Sequence, residues 1–336
     1  MNKTIDWRLL KKLYAIHSPS GKEDKMIAFL VSYLKSLPGV KLGRDSYGNL
    51  YAWKGESETY PCVVAHLDQV QRNHPRDFRA IETRDIIFGF SAKEHSICGL
   101  GADDKNGIII CLEAIKKYDC MKVVFFKEEE TGCHGSSRAE MKFFEDCRYV
   151  IQCDRRGNSD LITNIGCSDL CSEKFIQDID PEKWGYKEET GMMTDVEALK
   201  ERDLSVSAIN MSCGYYNPHT DEEITVKRDL EKCWHLVQHI IEDCTETYPH
   251  EVGDNACFGY DEWEIEDEIH SIIQQDPTMT ASDLYDMYQT NYPMLRLEDF
   301  ERIVSDHQLW YDDEEETLTQ TFKHDGKETD KEDFIF

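Results

Sequence analysis

Up to about residue 250, apolar and polar positions alternate between a helical period and a strand period. Behind Ser20-Gly21-Lys22-Glu23, the apolar residues Met26, Phe29, Leu30 and Tyr33 recur at three- and four-residue spacing. That pattern predicts an amphipathic helix opened by a capping box from Ser20 to Glu23. Short runs rich in β-formers follow at Asn49–Trp53, Cys62–Ala65, Ile86–Phe88, Val123–Phe126, Tyr149–Gln152 and Val206–Ile209. Helical runs stand between them at Asn106–Lys117, Arg138–Phe144, Thr194–Lys200 and Val226–Cys244. Alternating elements of this kind predict an α/β fold, a mixed and mostly parallel twisted sheet sandwiched by helices. Such sheets gather ligands at the carboxyl ends of their strands. Beyond Gly253 the pattern predicts three short helices, Glu264–Gln274, Ala281–Thr290 and Leu297–His307, then a ragged acidic tail from Asp312 onward.

Charge sharpens this division. The 336 residues carry a formal net charge of −29, and residues 254–336 alone hold 24 acidic against 5 basic side chains. Two domains are therefore expected: residues 1–253, and a small acidic helical appendage over 254–336. A field of that sign repels a phosphate backbone, so nucleic acid is excluded as a partner. The longest apolar stretches are far shorter than the ~20 residues a membrane span needs, so no membrane partner is expected. Lys3, Asp6, Arg8, Lys11 and Lys12 interrupt the N-terminal turns, which argues against a secretory signal. The 13 cysteines lack any CxxC pair, and several sit in apolar runs. They read as reduced core thiols, and a cytoplasmic location is expected.

With one residue in five acidic, a bare pair of carboxylates carries no information. A carboxylate placed directly after a buried strand does, because it must be paired, protonated or bound to a metal. Four segments pass this filter. Val63-Val64-Ala65 runs into His66-Leu67-Asp68, and strand alternation puts His66 and Asp68 on one side, where the carboxylate orients the imidazole. Gly99-Leu100-Gly101-Ala102-Asp103-Asp104-Lys105-Asn106-Gly107 is a tight turn that opens an apolar helix. Val123–Phe126 ends in Lys127-Glu128-Glu129-Glu130-Thr131-Gly132 followed by Cys133-His134-Gly135-Ser136, a setting that suits a ligand and a general base. Tyr149–Cys153 ends in Asp154, and Gly214-Tyr215-Tyr216-Asn217-Pro218-His219 precedes a long helix. Each segment has a bland alternative: a core histidine, helix-dipole charges, or a solvated face. In chain order, however, they supply nitrogen and oxygen donors for two divalent ions, which suits zinc or a similar first-row metal.

On GADDKNG, EEETGCHGS and GYYNPHTDEE, in this order and spacing, the chain resembles the co-catalytic metallopeptidases, the clan that includes peptidase T-like aminopeptidases and dipeptidases. The resemblance runs from about Trp7 to Asp243. It implies a phosphorylase/hydrolase-like α/β sandwich and two metal ions, zinc foremost, with cobalt or manganese as alternatives. His66 and Asp154 would bind one ion, Glu130 and His219 the other, and Asp103 would bridge them. Asp68 would stand behind His66, and Glu129 would be the general base. The implied activity is hydrolysis of an amide bond by a metal-bridged water, as an aminopeptidase or di- or tripeptidase acting on a short peptide. An N-acyl amino-acid deacylase would use the same site, and a silent binding protein could retain the fold. Only 64 residues separate Asp154 from His219, too few for the lid domain that dimeric members insert there, so a monomer is expected. Thr194 and Asp195 resemble a pocket segment of the clan, yet Thr194 to Glu197 also reads as a capping box, and the cap is preferred. His134 is set aside. Arg155 and Arg156 suit either a substrate carboxylate or neutralisation of their acidic surroundings.

Overall fold

The computed structural model describes residues 5–71, 74–166, 168–252, 269, 272, 279–288, 300 and 304. The chain divides into two compact units, Met1–Gly259 and Tyr260–Phe336.

The first unit is built from strands β1 (Val40–Arg44), β2 (Leu50–Lys54), β3 (Tyr60–His66), β4 (Phe78–Glu82), β5 (Ile86–Ser91), β6 (Ser96–Cys98), β7 (Met121–Phe126), β8 (Cys147–Arg155), β9 (Asp160–Ile165), β10 (Ser168–Asp169), β11 (Lys187–Gly191), β12 (Ala208–Ser212), β13 (Tyr215–Tyr216) and β14 (Ile224–Val226). Its helices are α1 (Trp7–Tyr14), α2 (Asp24–Lys35), α3 (Ala102–Lys117), α4 (Glu173–Ile179), α5 (Asp195–Lys200) and α6 (Lys227–Asp243). The main sheet has the order β1-β2-β7-β3-β8-β12-β9-β10, with β11 added on β9. Its centre is parallel, β7, β3, β8 and β12 running side by side. The joins of β2 to β7 and of β9 to β12 are antiparallel.

Strands β3, β7 and β12 are buried along their whole length, because both faces are covered. Alternation divides their side chains between two cores. Val63, Ala65, Val123 and Ile151 pack with Leu10, Leu13, Met26, Leu30, Ile109, Leu112, Val237 and Ile240 of α1, α2, α3 and α6. Cys62, Val64, Val124 and Val150 face the other way, onto Phe144, Val196 and Leu199. The expected sandwich is therefore the observed one. A second, smaller sheet, β13-β14-β5-β4 with β6 on β5, comes from the chain between His66 and Asp103 and from the hairpin around His219. Between Asp154 and His219 the chain builds β9 to β13, α4 and α5. Phe175 and Tyr186 are buried in the main core, and among the described residues that stretch holds no separate lid domain.

Three local expectations are corrected. Helix α2 starts at Asp24 with no side-chain cap, since the Ser20 hydroxyl donates to Asp68 and Glu23 accepts from the Gly21 N–H. The Thr194–Glu197 cap is likewise absent, because the Thr194 hydroxyl donates to Gln152 Oε1 at 2.6 Å. Arg138–Phe144 is not a helix but part of two short 3₁₀ turns, Ser136–Arg138 and Met141–Phe144.

In the second unit, helix α7 (Ala281–Tyr288) is preceded by a reciprocal cap between Thr280 and Asp283. Leu284 and Tyr288 pack with Ile269 and Phe300. Most of Glu264–Gln274 and Leu297–His307 lies outside the described residues. Every described cysteine is free. No described helix is long and apolar enough to cross a membrane.

Candidate metal centre

Five strand or helix ends meet at one edge of the main sheet. His66 closes β3, and Asp68 follows it. Asp103 opens α3, Glu129 and Glu130 follow β7, Asp154 sits near the end of β8, and His219 lies in the loop between β13 and β14. All seven residues named from the sequence come together here. Asp103 stands between the two imidazoles: its Oδ1 is 3.0 Å from His66 Nε2 and its Oδ2 is 3.4 Å from His219 Nε2. Around His66 Nε2 lie Asp154 Oδ1 at 3.5 Å and Glu129 Oε2 at 3.9 Å. Around His219 Nε2 lies Glu130 Oε2 at 3.1 Å. Ligand atoms of His66, Glu129 and Asp154 cluster closely enough to hold an ion, as do those of His66, Asp103 and Glu130.

The centre is held by hydrogen bonds to backbone. Asp68 Oδ1 is 3.4 Å from His66 Nδ1 and accepts the Glu129 N–H, while its Oδ2 accepts the Glu130 N–H and the Ser20 hydroxyl. One carboxylate thereby fixes the backbone of both glutamates and lies beside the histidine. Asp104 turns inward, accepting the His66 and Gly107 N–H groups. Glu223 reaches back from the His219 loop to accept the N–H groups of Gly101 and Asp103. Gly101, at φ 65°, is in the left-handed region that glycine tolerates, and a Cβ there would strike the Gln69 amide and the Lys105 ammonium. Gln152 bridges Asp154 and Asp195, and Asn210 donates to Thr194 and to the Asp154 carbonyl.

Burial sets the electrostatics. It pushes Glu129 well above the usual carboxylate range, with Asp154 and Glu130 adding to it against the pull of His66. Burial and Asp103 likewise raise Asp154 and Glu130. Asp103 goes the other way: burial opposes, but contact with His219 and His66 lowers it. Burial also acts against His66, and the carboxylates of Asp154 and Glu129 outweigh it and raise that imidazole. His219 is pushed up to about 11 by its contacts with Asp103 and Glu130. Every ion pair of the cluster is made with one of these two histidines, and no Lys or Arg among the described residues pairs with its carboxylates.

Sequence reasoning did not assign Ser20, Asp104, Gln152 or Glu223. Ser20 was read as a cap, and Glu223 lay unassigned inside the GYYNPHTDEE segment. Their contacts with Asp68, His66, Asp195 and Gly101 span 38 to 122 residues of sequence, which no local spacing encodes. Of the discounted residues, His134 is exposed. Arg155 Nε lies 3.5 Å from Asp160 Oδ2, so its guanidinium is turned to an acidic neighbour.

The sheet order and its covering helices make a peptidase T-like fold, shared with solved aminopeptidases and a tripeptidase. Among solved structures, aminopeptidase PepT from Bacillus cereus ATCC 10987 is similar at 15% identity and TM-score 0.56, covering 71% of this chain and 98% of its own. A tripeptidase from Staphylococcus aureus subsp. aureus mu50 is similar at 13% identity and TM-score 0.58, with 71% and 99% covered. The aminopeptidase APDkam598 from the archaeon Desulfurococcus kamchatkensis is similar at 17% identity and TM-score 0.54, with 70% and 94% covered. At these identities the likeness is one of fold. No family model and no curated protein matches the sequence.

Proposed function

We propose that the protein is a metal-dependent peptidase that removes or splits residues at the amino end of short peptides, as an aminopeptidase or a di- or tripeptidase. The observation that carries this reading is Asp103 set between His66 and His219 with a different oxygen toward each.

The residues present fit a pair of divalent ions. Two imidazoles with aspartate and glutamate oxygens are a zinc-type donor set. Glu130 Oε1 is buried with no hydrogen-bond partner. The carboxylates also crowd together with no lysine or arginine to balance them, a concentration of charge that bound cations would neutralise. His66 and Asp154 would hold one ion, Glu130 and His219 the other, and Asp103 both, with zinc foremost and cobalt or manganese as alternatives. Bound there, the ions would polarise the scissile carbonyl and lower the pKa of water at the site.

Glu129 is the base. It is the carboxylate that borders both the His66 group and Glu130, and its burial favours keeping a proton once one is gained. It takes the proton of the attacking water and delivers it to the leaving amine. Asp68 is the orienting group, its Oδ1 lying 3.4 Å from His66 Nδ1. The test is metal analysis on protein purified without added chelator, joined to a screen of amino-acid amides, dipeptides and N-acetyl amino acids with added zinc, cobalt or manganese. Close to two ions per chain and turnover of peptides are expected. Absence of both would end the reading, and turnover confined to N-acetyl amino acids would convert it to a deacylase.

A further inference from the structure

A cavity of about 490 Å³ adjoins the cluster, lined by Pro19, Ser20, Lys22, Gln69, Val70, Glu130 and Thr131. Its size falls in the ordinary range for small-ligand sites. We propose, resting on the peptidase reading above, that this cavity receives the leaving side of the substrate and that Lys22 binds a free α-carboxylate there.

The argument is one of polarity and rigidity. The lining has one anionic residue, Glu130, a member of the metal cluster, and one cationic residue, Lys22. The Lys22 ammonium makes no ion pair or hydrogen bond among the described residues, whereas nearby Lys127 is turned to Glu23 at 3.5 Å. Unpaired exposed lysines are common in this chain, and what sets Lys22 apart is its place on the lining of this cavity beside the metal cluster, where its natural complement is an anion. A substrate's amino terminus would be repelled by Lys22, so the cavity suits the fragment on the other side of the scissile bond. Val70, 38% exposed, and Pro19 offer apolar surface for the side chain of that fragment.

The loop that carries Lys22 is fixed to the centre. Its turn is closed by Lys22 N–H to the Pro19 carbonyl at 2.8 Å, Pro19 pairs with Gln69, and the Gln69 N–H donates to the Ser18 carbonyl at 3.0 Å. Ser20 donates to Asp68 Oδ2 at 2.7 Å. The loop that carries the cation is thus tied to the carboxylate that lies 3.4 Å from His66 Nδ1, which keeps the base of the Lys22 side chain beside the metal cluster before substrate arrives. Two kinds of substrate present the required group, a short peptide with a free C-terminus and an N-acyl amino acid.

The test compares leucylglycine with leucylglycinamide, and N-acetylleucine with its amide, on the metal-loaded full chain and on K22M and K22R. The wild type should favour a free acid over the matching amide by about tenfold or more, the order expected for a hydrogen bond to a charged group. K22M should lose that preference through KM, with kcat and the rate on the amide nearly unchanged, and K22R should restore most of it. Which pair shows the effect identifies the source of the carboxylate. Equal turnover of acid and amide by the wild type, or a preference that survives in K22M, overturns the role of Lys22 while leaving the peptidase reading intact. No turnover of any of the four compounds overturns both.

Discussion

Glu129 and Glu130 are neighbours whose backbone N–H groups are bound to one carboxylate, Asp68, yet their side chains part, one toward His66 and the other toward His219. Substitution should separate them. Glu129→Gln keeps the shape and removes the base, so turnover should fall by ~10²-fold or more while metal content is kept. Glu130→Gln weakens a ligand, so metal content should drop and activity should partly return with excess metal. Loss of metal from the Glu129 variant alone would mean that the two roles are exchanged. Asp195 permits a second test. It is fully buried, and burial pushes it up to about 7, against 3.8 for a free aspartate. Between those pH values the folded chain holds a proton that the unfolded chain has released, so stability falls as pH rises through the window. Asn at this position cannot titrate, and the stability of the metal-free wild type relative to Asp195→Asn should therefore decline from pH 4 to pH 7, by about 4 kcal/mol at most. Urea unfolding at several pH values measures it, and a flat difference would show that Asp195 is ionised throughout. The metal candidates were legible in the chain because each follows an apolar strand or opens a glycine turn. Ser20 and Thr194 were misread because their hydroxyls answer to distant partners, Asp68 and Gln152, and a cap motif only states that a local bond is available.

At the scale of elements, α3 shows how packing supports the chemistry. Gly107 lies on its first turns, and a Cβ there would collide with both carboxylate oxygens of Asp104, which accepts the Gly107 N–H. Gly107→Ala must displace Asp104, and with it a bond to the His66 backbone. A loss of about 1–3 kcal/mol is expected from the overpacking, together with weaker metal retention. Denaturant unfolding combined with metal analysis checks it, and unchanged values for both would show that Asp104 is dispensable to the centre. The central strands β3, β7 and β8 were readable because burial on two faces demands continuous apolar runs. The strands β1, β4, β6, β9 to β11, β13 and β14 were not, since exposed or two-residue strands such as β11 and β10 carry too few apolar positions to signal a period. Helix α1 was also passed over, although Leu9, Leu10, Leu13 and Tyr14 are buried. At eight residues, with charges interleaved, it is shorter than the stretch over which helical periodicity is secure.

For the whole molecule, the composition break near Gly253 and the division into Met1–Gly259 and Tyr260–Phe336 suggest a dispensable second unit. A chain ending near Asp254 should stay folded and keep its metals, as followed by circular dichroism and metal analysis. Loss of either would mean that residues 254–336 support the first unit. Light scattering at micromolar concentration should return a monomer mass, because the stretch from Asp154 to His219 is absorbed into the sheet and its covering layers. The donors of the centre are spread from His66 to His219, on loops that no single segment of the chain contains. An ion bound among them would act as a cross-link between remote parts of the sequence, withdrawing all of those loops together from local opening. Added metal should accordingly slow amide hydrogen exchange in the loops after β3, β7 and β8 as a group, so that occupancy of the centre is read out in the breathing of the sheet edge as well as in catalysis.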